Sequence, residues 1–220
     1  MELKTLGLIH TSATLIPVFQ QLCQQYLPGI TIFNIVDDSL VKNIIAQGGE
    51  VGPSIYRRVA DYVASAEDAG ADYVLVTCSS IGAAVEAAAE KVRVPVLRVD
   101  QPMADMAVKT GTRIGVIATL QTTLQPTSDL VKRRAALIGK EIELTAKLCE
   151  GAFDALMSGD AGKHDNLVAD ALRELSKQVD VILLAQASMA RVVDTLSNED
   201  KGVPIVASPP NAIQHIANLR

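Results

Sequence analysis

Two patterns alternate along the chain. Short, nearly continuous runs of Val, Ile and Leu are separated by longer segments whose apolar residues recur at helical spacing. The runs predict strands over residues 3–10, 31–36, 73–77, 95–99, 113–118, 141–146, 181–185 and 204–207. Continuous rather than alternating runs belong to strands covered on both faces. Between them, residues 54–69 place Ile55, Val59, Tyr62, Val63 and Ala66 on one helical face, and residues 167–175 behave likewise. Strand alternating with helix predicts an α/β fold built on largely parallel sheet.

The pattern also repeats. Gly7-Leu8-Ile9-His10-Thr11 matches Gly115-Val116-Ile117-Ala118-Thr119 at an offset of 108, and Val74-Leu75-Val76-Thr77-Cys78-Ser79-Ser80 matches Ile182-Leu183-Leu184-Ala185-Gln186-Ala187-Ser188 at the same offset. Val94-Pro95-Val96-Leu97 matches Val203-Pro204-Ile205-Val206 at 109. Three matches in order predict a doubled unit. The expected architecture is two pseudo-symmetric lobes, each a parallel sheet flanked by helices, with the active site in a crevice between them. The expected division is residues 1–99 plus 208–220 for the N-terminal lobe and 100–207 for the C-terminal lobe.

Composition narrows the function classes. With 220 residues, 49% of them hydrophobic and 20% charged, the chain can bury a sizeable core. A formal net charge of -5 speaks against nucleic acid as a partner, and 3% aromatic residues with no Trp leave little for base stacking. The three cysteines, Cys23, Cys78 and Cys149, are odd in number and widely spaced, which fits free thiols in a reducing compartment. The N-terminus lacks the series of a signal peptide, and no apolar run approaches the ~18 residues of a membrane span. The expectation is a cytoplasmic protein with no membrane partner.

In open parallel sheets, ligands bind beyond the carboxyl ends of the strands. Those ends carry His10 and Thr11, then Thr77, Cys78, Ser79 and Ser80 in the first half. In the second half they carry Thr119, Gln121 and Thr122, then Gln186, Ala187 and Ser188. Small hydroxyls and backbone amides suit an anionic ligand. Cys78 is the expected reactive group, because a thiol between a strand and a helix N-terminus is drawn toward thiolate. Cys23 and Cys149 read as buried and structural. His10, His164 and His215 lie too far apart for a metal cluster, so no metal is expected; His164 reads as solvated in a polar loop over 159–165, and His215 as structural. No phosphate-binding glycine motif and no Gly-x-Ser-x-Gly elbow occurs. Gly48-Gly49-Glu50-Val51-Gly52-Pro53 reads either as a flap or as a plain connector.

Gly7-Leu8-Ile9-His10-Thr11, Val76-Thr77-Cys78-Ser79-Ser80, Gly115-Val116-Ile117-Ala118-Thr119 and Leu183-Leu184-Ala185-Gln186-Ala187-Ser188-Met189-Ala190 together resemble the aspartate/glutamate racemase superfamily. That superfamily includes aspartate, glutamate and hydantoin racemases, maleate isomerase and arylmalonate decarboxylase. The resemblance implies an enzyme without cofactors, acting at the carbon next to a carboxylate of a small amino acid or related acid. It also implies a homodimer or higher homo-oligomer; Met103, Met106 and Val108 read either as an apolar face for it or as part of a buried helix joining the lobes. Racemases of this kind use two cysteines, one per lobe, on opposite faces of the acidic carbon. Cys78 fills the first place, and Gln186 falls on the second, 108 residues on. Gln is neither a useful acid nor a base. Three readings follow: a racemase or isomerase in which His10, Ser188 or water replaces the second thiol, a one-thiol lyase of the malonate-decarboxylase type, and a non-catalytic carboxylate-binding protein. Arg98, Arg113 and Arg191 are the nearest cations to the strand ends.

Overall fold

A computed structural model of the chain describes residues 3–219 and contains all eight expected strands. The first unit runs β1 (Thr5–His10), α1 (Ile16–Tyr26), β2 (Thr31–Val36), α2 (Ser39–Ala46), α3 (Pro53–Asp68), β3 (Tyr73–Val76), α4 (Gly82–Ala89) and β4 (Val96–Arg98). The second runs α5 (Gln101–Thr110), β5 (Arg113–Ala118), α6 (Gln121–Leu137), β6 (Glu143–Leu148), α7 (Ala152–Met157), α8 (Ala161–Leu175), β7 (Val181–Leu184), α9 (Ala190–Thr195), α10 (Asn198–Lys201) and β8 (Ile205–Ala207). The last helix, α11 (Ser208–Ala217), returns to the first unit. Contacts divide the chain into residues up to Asp100 together with those from Pro209 onward, and Gln101–Ser208.

Each unit holds one four-stranded parallel sheet, ordered β2-β1-β3-β4 in the first and β6-β5-β7-β8 in the second. The pleat sorts the core into two layers per sheet. In the first unit Ile9, Val74 and Val76 face α2, α3 and α4, while Leu6, Leu8 and Leu75 face α1 and α11. In the second, Val116, Val181 and Leu183 face α5 and α6, while Ile117, Ile182 and Leu184 face α8 and α9. The central strands are buried on both faces, as their apolar runs require. The outer strands β2 and β6 are only half covered, because each has a neighbour on one side alone.

The two sheets share a further detail. Asp72 accepts hydrogen bonds from the backbone N–H of Lys4 and Thr5, both at 2.8 Å, and Asp180 accepts them from Thr112 and Arg113 at 3.1 and 2.9 Å. These residues stand 108 apart (180 minus 72), so each half closes the start of its first strand with the same carboxylate.

Several expectations are corrected. The sixth strand starts two residues later than 141, because Gly139 ends α6 in a left-handed conformation (φ 66°) and the chain first pairs at Glu143, whose N–H donates to Thr112 C=O. Residues 159–165 are not a solvated loop: Asp160 caps α8, and His164 lies on its buried face, fully enclosed. Met103 and Val108 do not form an external face; they fill the core of the second unit, and of the three only Met106 is exposed. Gly48 and Gly49, both at positive φ, terminate α2, with Gly49 N–H donating to Ile44 C=O.

Candidate active site

In the first unit, neighbouring strands bring His10 and Thr77 together. His10 Nδ1 lies 2.8 Å from Thr77 Oγ1, its Nε2 lies 2.9 Å from Asn34 Oδ1, and Thr77 Oγ1 also lies 3.2 Å from Ile9 C=O. His10 is fully buried, and Thr11 and Thr77 nearly so. Burial pulls the imidazole below the ordinary histidine range, against a smaller opposing pull from the Asn34 hydrogen bond. The neutral ring therefore donates from Nε2 to Asn34 Oδ1 and accepts at Nδ1 from Thr77 Oγ1. His10 spends both on its own strand neighbours.

Cys78 follows directly. It is half-buried, in extended conformation (φ −131°, ψ 120°), at the entry of a short 3-10 turn, Ser79–Ile81, that leads into α4. Ser79 and Ser80 are buried in that turn. Burial pushes the thiols of Cys23 and Cys149 up to about 11, which fits their expected structural role. The helix that follows the Ser79–Ile81 turn starts against Arg98. A Cβ on Gly82 would lie 2.2 Å from Arg98 Cζ, so only glycine lets the guanidinium lie against the first turn of α4. Arg98 is held there by Asp100 at 2.7 and 2.8 Å and by Glu86 at 2.5 Å.

The second unit repeats the arrangement with different chemistry. Gln186 enters the turn Ala187–Met189 at φ −134° and ψ 138°, close to the values at Cys78. Its Oε1 accepts from Thr119 N–H at 2.5 Å and from Thr119 Oγ1 at 2.9 Å. The amide is thus turned so that its NH2 group, which has no partner among the described residues, points away from Thr119. Gln121 is exposed on the first residue of α6. Thr122 follows, and its hydroxyl is buried without a hydrogen bond among the described residues. Ala187 and Ser188 are half-buried beside Gln186.

Sequence reasoning missed the cluster after β2. Asp37, whose N–H donates to His10 C=O at 2.9 Å, accepts from Tyr62 Oη at 2.6 Å, from Ser39 Oγ at 2.7 Å, and from Arg58. Burial raises the Asp37 carboxyl, but the bonds from Tyr62 and Ser39 and the Arg58 charge outweigh it and hold the group below its usual range. A carboxylate and a cation thus stand at a strand end, each satisfying the other. The adjacent pair Asp37-Asp38, just past an apolar run, was the available signal. The three arginines singled out from sequence are all paired instead. Arg98 is buried, Arg113 begins β5 and binds Asp180 at 2.6 Å, and Arg191 binds Asp165 at 2.8 Å. No helix among the described residues is long and apolar enough to cross a membrane.

The sequence pattern of the Asp/Glu/Hydantoin racemase family matches residues 5–216. No curated protein matches the chain by sequence. Among solved structures, glutamate racemase isoform RacE1 from Bacillus anthracis is similar over 98% of this chain and 81% of its own, with a TM-score of 0.73 and 18% identity. Picrophilus torridus aspartate racemase covers 98% and 94%, with a TM-score of 0.70 and 14% identity. Allantoin racemase from Klebsiella pneumoniae covers 98% and 87%, with a TM-score of 0.68 and 17% identity. At these identities the three structures speak for the fold, two lobes of parallel sheet flanked by helices. The family pattern speaks for more: spanning both repeats, it makes the chain a member of the Asp/Glu/hydantoin racemase family and an enzyme of the racemase type.

Proposed function

We propose that the chain is a cofactor-independent racemase or isomerase that acts at the carbon next to a carboxylate of a small amino acid or related acid, with Cys78 as the proton-transferring thiol. The observation that carries this reading is the pairing of two like turns with unlike side chains: Cys78 and Gln186 share a backbone conformation and a place in the repeat. As thiolate, Cys78 takes the α-proton, leaving an enolate-like dianion whose extra charge sits on the carboxylate oxygens. That charge needs donors, because the α-proton is otherwise too weakly acidic to remove. The Gln186 NH2 group, fixed by Thr119, supplies one, and the amides and hydroxyls of Ser79, Ser80, Thr122 and Ser188 supply others. Thr11, Thr77 and Thr119 shape the strand ends that hold the substrate. His10 positions Thr77 and takes no proton. The proton returned to the opposite face comes from water, since Gln186 has none to give. Small hydroxyl and amide donors suit a monocarboxylate headgroup, and the Asp37–Arg58 pair supplies no unpaired cation for a second carboxylate.

The presence of a single half-buried thiol also favours one other reading, a lyase in which loss of CO2 creates the carbanion and Cys78 protonates it. One experiment separates the two. The enzyme is incubated in heavy water with a panel of amino acids, hydroxy acids and malonates, and α-hydrogen exchange and CO2 release are followed together. The expected result is exchange without CO2, lost by roughly 10²–10⁴-fold in Cys78→Ser, the scale of a general base. CO2 release from a malonate would favour the lyase. Ligand binding that Cys78→Ser leaves unchanged, without exchange or CO2, would leave a carboxylate-binding protein.

A further inference from the structure

The first unit carries a groove that the chemistry above does not use. It has a volume of about 670 Å³ and runs between α3 and the segment after α4. Its floor is the fringe of the core: Val51, Ala60 and Val92 are half-buried and pack on the layer beneath. The hollow exists because Ala60 and Ala64, one turn apart on α3, end at Cβ where longer side chains would fill it. Tyr56, Arg57, Asp61 and Lys91, all exposed, line it with their polar groups.

The two cations lining the groove are not ion-paired among the described residues. Neighbouring Arg58 is tied to Asp37 and Ser39, but neither Arg57 nor Lys91 has a side-chain hydrogen bond or ion pair among the described residues. Two cations against the one carboxylate of Asp61 leave the groove positive by one, in a chain whose formal net charge is -5. A guanidinium and an ammonium above an apolar floor recognise a negative headgroup on an apolar body. The volume falls in the range of small-molecule sites, roughly 300–1,000 Å³.

We propose that this groove is a second ligand site, for a small organic anion with a flat apolar body, an aryl carboxylate or aryl phosphate. The ring lies over Ala60, Ala64 and Val92, and the anion reaches Arg57 and Lys91. Arg57 offers a planar fork to either headgroup, and Lys91 a point charge.

The test reads binding rather than turnover, so it stands apart from the racemase assignment. Amide shifts of the ¹⁵N-labelled full chain are followed against benzoate, phenyl phosphate and the neutral benzyl alcohol. The expected result is saturable movement of the Ala60, Ala64 and Val92 amides with at least one anion, at a dissociation constant on the order of millimolar, as the size of these probes implies. The stronger of the two anions identifies the headgroup. Arg57→Gln and Lys91→Gln should each weaken binding roughly two- to tenfold, the scale of an exposed ion pair. Ala60→Leu fills the hollow with a good helix former and should abolish binding while circular dichroism stays unchanged. Absence of saturable shifts, equal binding of benzyl alcohol, or indifference to the two charge variants would overturn the proposal. So would groove amides that move with protein concentration alone, since the groove would then be a contact between copies of this chain. The two charge variants lie on the surface and decide the matter even if Ala60→Leu fails to fold.

Discussion

The site chemistry turns on three cysteines that composition treats alike and structure does not. Cys23 and Cys149 are enclosed among apolar side chains, and burial pushes each thiol up to about 11, so at neutral pH neither is appreciably thiolate. Cys78 stands half-buried at a strand end. Alkylation by iodoacetamide needs both access and thiolate. Native enzyme at pH 7.5 should take up one equivalent, at Cys78 by peptide mapping, and three only after unfolding. Early modification of Cys23 or Cys149 would show that the core around that thiol is not closed as described. The strand-end position of Cys78 was legible from the sequence, because a continuous apolar run ends at Val76 and hydroxyl residues follow. The partnership of His10 was not. A histidine at a strand end reads equally well as facing solvent or substrate, and only the cross-strand register, which pairs Gly7 with Phe33 on one side and Val74 on the other, puts Asn34 and Thr77 beside it.

At the level of elements, apolar periodicity located strands better than helix starts. Central strands announce themselves because both faces must be apolar, whereas β6 (ELTAKL) is half-exposed and its polar residues blur the boundary. The start of α8 was missed for a related reason. Residues 161–166 are polar except for Ala161 and Gly162, yet His164 takes the place of an apolar residue in the series completed by Val168, Leu172 and Leu175. The signal that did exist was the cap: Asp160 accepts from Lys163 N–H at 2.9 Å. Asp160→Ala removes that acceptor from a first turn otherwise short of partners. It should destabilise the protein by about 0.5–2 kcal/mol, read as a lower denaturant midpoint at unchanged slope. Asp160→Asn, which keeps an acceptor, should restore most of the loss. Equal losses in both variants would place the role of Asp160 in its charge rather than in the cap.

At the scale of the molecule, the chain is symmetric in fold and asymmetric in chemistry. Strand order, the carboxylates Asp72 and Asp180, and the turns at Cys78 and Gln186 all repeat at 108 residues. The side chains at the key place do not. A thiol exchanges protons, while an amide whose oxygen is already committed to Thr119 offers only fixed N–H donors. Under the proposed reaction this asymmetry has a stereochemical consequence. A single thiol reaches one face of a stereocentre, so it removes the α-hydrogen of one enantiomer and leaves the other to water. In heavy water, therefore, one enantiomer of a turned-over substrate should lose its α-hydrogen roughly 10²-fold faster than its mirror image, the lower end of the range for general-base catalysis. Gln186→Cys places a thiol on the second turn. If that turn holds its side chain as the first does, the variant should bring the two exchange rates together and raise racemisation above wild type. Equal rates in the wild-type enzyme would require a second proton-transferring group that is as effective as Cys78, and the single-thiol mechanism would then fall.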